Sequence, residues 1–323
     1  MANVVRNTNS TSGYTEAFYN SYTAGYEQVN QERKPQFQGL LREERIEGEN
    51  ESYDFLGTID LDAKTSRFED IPIEDITHNR RWISPKWFRK GLFVDKEDDI
   101  AMHTDPTSEY IKALAKGEIR KQNITVANAF FANVSGGKNP GDDTYVFTES
   151  AYVTSTRLTT GGRVIVHNVQ NDFTAGGVSS GLTIEKLILA KQALAELEND
   201  PDEMFNIAVS PKQLSDLLRE AKTQSIDTNI IRALVAGTIT EYMGFRFIQT
   251  NRIAIGSSND VDSDTNVYKC PVWSKEGMLF AKHNSPIFNV DWLPRPQIWQ
   301  ISARVGMAAI RMDEDKVLQI ECV

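Results

Sequence analysis

The chain of 323 residues has only 2 cysteines and 4 histidines, and that scarcity excludes two kinds of chemistry. Cys270 and Cys322 are too few for a disulfide framework. His78, His103, His167 and His283 stand at no metal-ligand spacing from one another, so no metal site is expected. No hydrophobic run reaches the length that spans a membrane. The opening "MANVVRNTNSTSGYTEAF" has no basic segment followed by an apolar stretch. A signal peptide is therefore not expected, and reduced thiols in a cytoplasm are. Positive charge is also in deficit, with 35 Lys and Arg against 45 Asp and Glu and a net charge of −10. That balance argues against the chain as a whole being a nucleic-acid binder. The local exception is the basic stretch "NRRWISPKWFRKG" at Asn79–Gly91.

Phosphate-binding glycines are missing where they would matter. The stretch "EMFNIAVSPKQLSDLLREA" (Glu203–Ala221) has the form of a strand entering a helix N-terminus, the arrangement in which free N–H groups hold an anion. Ser210 is placed to cap, Pro211 suits the first helical position, and Gln213 completes a capping box. Leu214, Leu217, Leu218 and Ala221 then share one face. No glycine lies between Val209 and Lys212, so neither a Walker loop nor a dinucleotide turn is present. "SGGKNPGDD" (Ser135–Asp143) has glycine and lysine without the P-loop spacing. "NDVDSDTN" offers Asp260, Asp262 and Asp264 as a calcium loop would begin. Thr265 stands where that loop requires glycine, and Pro271 where its bidentate glutamate belongs. No G-x-S-x-G elbow or cysteine signature accompanies the histidines. The residues point to no catalytic group, no cofactor and no metal ion.

What the chain does have is an order of elements. Residues 1–45 are polar, and within them Tyr14, Phe18, Tyr22 and Tyr26 recur every four residues. A helix there would carry an aromatic stripe, lying on its own core or meeting a neighbouring chain. "ENESYDFLGTIDLDAKTSRFEDIPIED" reads as a long hairpin reversing at "DLDAKTSRF". Its apolar residues Phe55, Ile59, Leu61 and Phe68 are too sparse for a private core, so support must come from elsewhere. If a second chain provides that support, Glu51–Glu69 is dispensable for folding.

A helix is expected from Thr107 to about Phe131, ended by Gly136–Gly141, with strands around Tyr145–Val153 and Arg163–Val169. "TIEKLILAKQALAELEND" places Leu187, Ala190, Leu194 and Leu197 on one helical face. A further helix near Ile226–Ala236 precedes "GTITEYMGFRFIQTNRI", a hairpin turning at Gly244 with φ above zero. "WQISARVGM" alternates Trp299, Ile301, Ala303, Val305 and Met307 on one face of a strand, and "VLQIECV" does the same with Leu318, Ile320 and Cys322.

This order resembles the major capsid proteins of tailed bacteriophages, an α+β fold of the Hong Kong 97-like type. The resemblance spans nearly the whole chain and is most specific from Leu182 to Ile253. There "LTIEKLILAKQAL", "FNIAVSPKQLSDLL" and "GTITEYMGFRFIQTNRI" look like the helix, strand–helix and hairpin of that family's axial domain. "SKEGMLFAKHNSPIFNV" and "ISARVGMAAIRMDEDKVLQI" look like its closing strands. The resemblance implies an N-terminal arm at 1–45 and an extended loop at 46–75 lying over a neighbouring subunit. It implies a peripheral domain with its spine helix at 76–165, an axial domain at 166–279, and strands returning to the peripheral domain at 280–323.

By the same resemblance the protein would build an icosahedral shell from hexamers and pentamers. That shell would enclose double-stranded DNA without sequence-specific binding, be assembled in the host bacterial cytoplasm, and have scaffolding, portal and cement proteins as further partners. Tyr14, Phe18, Tyr22, Tyr26, Phe55, Ile59, Leu61 and Phe68 are the candidate intersubunit contacts. Some family members weld subunits by a Lys–Asn bond promoted by a Glu, and Lys64 in the loop has no identifiable partner for one. Two alternatives share parts of the pattern: an encapsulin-type nanocompartment shell, and an α/β enzyme with an unrecognised site.

Overall fold

A computed structural model describes residues 34–323 except 58, 60, 68–69, 72, 74, 96–105, 148–149, 153–161, 170–177, 198, 201, 225–240, 258–265 and 284–286. The aromatic stripe of Tyr14, Phe18, Tyr22 and Tyr26, together with Phe68, the helix expected near Ile226–Ala236 and the calcium-like loop, lies outside the described residues. The first half of the chain forms β1 (Arg42–Arg45), β2 (Glu51–Leu56), β3 (His78–Ile83), β4 (Lys86–Asp95), α1 (Pro106–Ala129), β5 (Val134–Gly136), β6 (Asp143–Tyr145) and β7 (Val164–Ile165). There follow α2 (Ile184–Glu196), β8 (Phe205–Val209), α3 (Pro211–Gln224), β9 (Glu241–Tyr242), β10 (Phe245–Gln249) and β11 (Ala254–Ser257). The chain closes with β12 (Asn266–Trp273), β13 (Met278–Lys282), β14 (Ile287–Leu293), β15 (Ile298–Arg311) and β16 (Val317–Cys322). The expected long helix is thus α1. It ends at Ala129, before the glycines, and Gly136 belongs to a strand instead. Short strands form at 143–145 and 164–165, narrower than the sequence suggested.

Two compact units result, one from Trp87–Lys121 and Ser285–Gly306, the other from Gln36–Lys86, Gln122–Asn284 and Met307–Val323. The larger unit is organised by a sheet in the order β7-β16-β12-β8-β10-β9, with β11 on β12. β8 and β10 run parallel, while β12 is antiparallel to both β8 and β16. All five residues of β8 are buried, which fits a strand read as a continuous apolar run rather than an alternating one.

The buried side of α2, with Leu187, Ala190 and Leu194, and Leu214 and Leu217 of α3 join Ile207, Val209, Phe245, Leu318 and Ile320 in one core. Both helix starts are set locally. Thr183 accepts the Lys186 N–H at 3.4 Å. The side-chain carbonyl of Gln213 accepts the Ser210 N–H at 3.0 Å and also the Ser210 hydroxyl. The strand–helix stretch that resembled a phosphate site is therefore closed by its own cap. Between β9 and β10 the turn residues Met243 and Gly244 have φ of 54° and 82°. This is the two-residue hairpin turn that requires positive φ twice and matches the twist of its strands.

The second sheet of this unit runs β2-β3-β5-β6. β2 and β3 pair antiparallel from Glu51↔Ile83 to Leu56↔His78, so the hairpin exists, but its return strand is 78–83 and its connection is 57–77. Tyr53 and Phe55 pack on Ile46, Ile83, Leu279, Ala281, Ala308 and Met312. Phe55, expected to be a contact to another subunit, is half-buried against its own chain. Replacement of Glu51–Glu69 would therefore strip β2 from this sheet. Phe37, Leu41 and Ile46 are buried too, and the Phe37 ring lies 5.8 Å from that of Trp273, so the end of the segment read as an arm is part of the core.

In the smaller unit β14 pairs with the first part of β15 as Phe288↔Ala303, Val290↔Ile301 and Trp292↔Trp299, and β4 also pairs with β15. The register puts Trp299, Ile301, Ala303 and Val305 on one face, as their alternation indicated.

Candidate assembly surfaces

Two features of the described residues present chemistry outward: the loop carried by the β2–β3 hairpin, and a groove in the smaller unit. The hairpin is held at its base by a buried charge cluster. Arg81 of β3 donates to the Arg311 carbonyl at 2.9 Å and to both carboxylate oxygens of Glu314. Arg311, fully buried, donates from Nε to Glu314 at 3.1 Å and from Nη1 to the carbonyls of Phe130 and Ala132 at 2.8 and 3.2 Å. The Arg81 guanidinium lies 4.8 Å from the ring centre of Tyr145 and 5.8 Å from that of Phe55, near enough for cation–π attraction. Burial alone would push the Glu314 carboxyl up, but the two arginines hold it below its ordinary value. On the outer side of the hairpin Arg80 grips Asp54 at 2.5 and 2.8 Å. The sequence marked Asn79–Gly91 as one basic stretch. In the fold Arg80 and Arg81 serve the hairpin, while Arg89 and Lys90 belong to β4.

Beyond this anchored base the connection exposes its apolar residues. Leu61 is 96% exposed, Ile71 85% and Ile73 93%, and Leu56 and Ile59 are exposed as well. Isolated exposed apolar residues are ordinary, but four on one connection, next to Leu56 at the end of β2, form the kind of patch that marks contact surfaces. The candidate contacts Ile59 and Leu61 thus lie in the open. Ile71 and Ile73, which were not among the candidate contacts, are exposed with them.

The groove of about 550 Å³ lies between β4, α1 and the β14–β15 pair. Phe88, Leu114, Phe288 and Val305 line it, and Trp87 stands at its edge, 57% exposed. Its charged lining residues are Arg89, Lys90, Arg120, Lys121 and Arg304 against the single acid Glu118. Nothing in the linear pattern signalled this site, because its walls come from three segments that only the fold brings together.

Elsewhere the buried polar groups serve the framework. The Lys186 ammonium, whose pKa burial lowers, donates to the carbonyls of Ser180, Gly181 and Glu321 at 2.8, 2.8 and 2.9 Å. Cys270 and Cys322 are free thiols in the same core. Among the described residues no group of three His, Cys, Asp or Glu side chains could hold a metal ion.

A family model described as "Phage capsid protein" matches residues 14–323. No curated protein matches the sequence. Among solved structures, the capsid of cyanophage P-SCSP1u superposes with a TM-score of 0.65 at 14% identity, covering 100% of this chain and 99% of that one. The mature capsid of bacteriophage PhiM1 gives 0.62 at 12% identity over 94% of this chain and 91% of that chain. The head structure of Helicobacter pylori bacteriophage KHP40 gives 0.62 at 10% identity over 98% of each.

Proposed function

As a member of the phage capsid protein family with the Hong Kong 97-like α+β fold, this chain is a major capsid protein, and we infer how its copies meet in the head shell. The family match over 14–323 carries the shell function. The physical arrangement supports the reading of its contacts: a rigidly anchored hairpin lifts exposed apolar residues away from their own core. A shell is made of one surface repeated in heterologous contacts that close, and such a loop suits a neighbouring copy.

In this reading 57–77 is the tip of the extended loop and α1 the spine helix. The sheet holding β8, β10 and β12 is the axial domain, and Ile59 and Leu61 are intersubunit contacts. Hexamers and pentamers form in the host bacterial cytoplasm and close around double-stranded DNA, held without sequence-specific contacts. The acidic balance of −10 keeps the wall from sticking to its genome. Scaffolding, portal and cement proteins are the further partners. The protein acts as structure and not as an enzyme.

The test is assembly. Expressed alone and with a scaffolding protein, the chain should yield capsomers or closed shells in electron micrographs. A particle that holds protein cargo in place of DNA, or a compact monomer under every condition, would overturn the reading.

A further inference from the structure

We propose that the groove of the smaller unit binds single-stranded nucleic acid, with phosphates against its basic residues and a base stacked on Trp87. The proposal is independent of the shell reading above, which concerns duplex DNA inside the head. Charge is the first observation. The chain as a whole carries −10, yet Arg89, Lys90, Arg120, Lys121 and Arg304 line this groove against the single acid Glu118. Arg89, Lys90, Arg120 and Arg304 are exposed. A local excess of that sign in an acidic protein points to a polyanion, since one carboxylate or phosphate needs far fewer cations.

The aromatic residues favour a nucleotide strand over other polyanions. Along β4, Trp87 and Arg89 share one side of the strand and Phe88 and Lys90 the other, so each ring has a cation two residues on. Trp87 stays 57% exposed at the groove edge, although tryptophan is mostly buried in folded proteins. The Lys121 ammonium stands 4.5 Å from the Phe88 ring centre, within reach of cation–π attraction. Rings interleaved with cations in a groove let bases stack while the backbone is neutralised, whatever the sequence. Size sets the number of strands. The groove of about 550 Å³ falls in the range of small-ligand sites, with room for about one or two nucleotides and none for a duplex. Gly117, in the α1 wall, leaves space where a Cβ would meet nothing within 4 Å. Glycine weakens a helix at such a position, and here it keeps the wall open.

The test is fluorescence anisotropy of labelled oligo(dT) and oligo(U) of about 12 nucleotides, and of a duplex of equal length, titrated with the purified full chain. At least one single strand should bind, and the duplex at least about tenfold more weakly. Binding of only one strand supports the proposal and names the sugar that the groove takes. Affinity should fall with salt at a log–log slope of roughly −2 to −3, the release expected for three or four neutralised phosphates on a single strand. Trp87→Ala should weaken binding at least about fivefold. Gly117→Leu, a better helix former that fills the groove, should weaken it at least about tenfold. Arg120→Glu with Arg304→Glu should abolish it. Trp87 and these arginines are exposed, so their replacement spares the fold, and the salt slope and duplex comparison need no variant. No binding by the full chain overturns the proposal, as does equal affinity for the duplex. A Trp87→Ala chain that binds like the parent, or polyglutamate that displaces the oligonucleotide at equal charge, reduces the groove to a general anion surface and also overturns it.

Discussion

The Arg81 guanidinium holds both carboxylate oxygens of Glu314, 233 positions further along the chain. Through Arg311 the same carboxylate is tied to the carbonyls that follow α1. The base of the exposed loop, the end of the long helix and the turn before the last strand therefore share one buried ion cluster. Removing one partner of such a cluster leaves the others buried and unpaired.

Glu314→Gln is expected to destabilise the chain by about 3–5 kcal/mol, the usual effect of breaking a buried pair. The wild type should also show an acid limb. Glu314 has a folded value below its ordinary 4.5, so its contribution is complete above that pH and is lost as pH falls through the lowered value. Denaturant unfolding of both chains at neutral and acid pH checks this, and equal midpoints at neutral pH would count against it.

Glu220 should act in the opposite sense. Burial, followed by its hydrogen bond to Glu185, raises its carboxyl from 4.5 to about 8, while its Oε2 accepts the Ile184 N–H at 2.8 Å. The folded chain keeps a proton there that the unfolded chain has released, so stability declines as pH rises from 4.5 to about 8. Glu220→Gln preserves the accepting oxygen and should flatten that decline. Thermal unfolding across the window reads it directly, and parallel profiles for the two chains would refute the assignment.

Gly244→Val places a β-branched side chain at φ 82°. The expected loss is about 1–3 kcal/mol, seen as a lower denaturant midpoint with an unchanged slope. Gly117→Ala, with open space around it and ordinary helical geometry, should be neutral or stabilising by up to about 1 kcal/mol.

Replacing 57–77 by a short Gly/Ser linker should leave β2 and β3 paired and the circular dichroism close to that of the parent. The resulting subunit should fail to build stable shells, because each copy loses one contact to a neighbour. Extending the replacement back to Glu51 should cost folding as well, since Tyr53 and Phe55 leave the cluster around Ile46 and Ile83. Normal shells from the first chain, or its failure to fold, would contradict the role assigned to the loop.

Local pattern alone determined much of this protein. The cap at Ser210 and Gln213, the turn at Gly244, the apolar face of α2 and the alternation in β15 were legible because each depends on residues within a few positions of one another. The order of those elements was enough to point to a capsid fold, and the want of histidines, cysteines and glycine loops turned attention away from catalysis. The tertiary structure decided the rest. Which strand closes the hairpin was settled by Arg81 and Ile83 finding partners at Glu314 and Leu279, not by propensity, since Ile71 and Ile73 suit a strand equally well. Phe55 is half-buried on that cluster for the same reason. The basic stretch was divided between two tasks, and the groove took its walls from segments that no spacing rule connects. Long-range packing and charge pairing choose among locally equivalent alternatives, and a linear pattern contains no term for them.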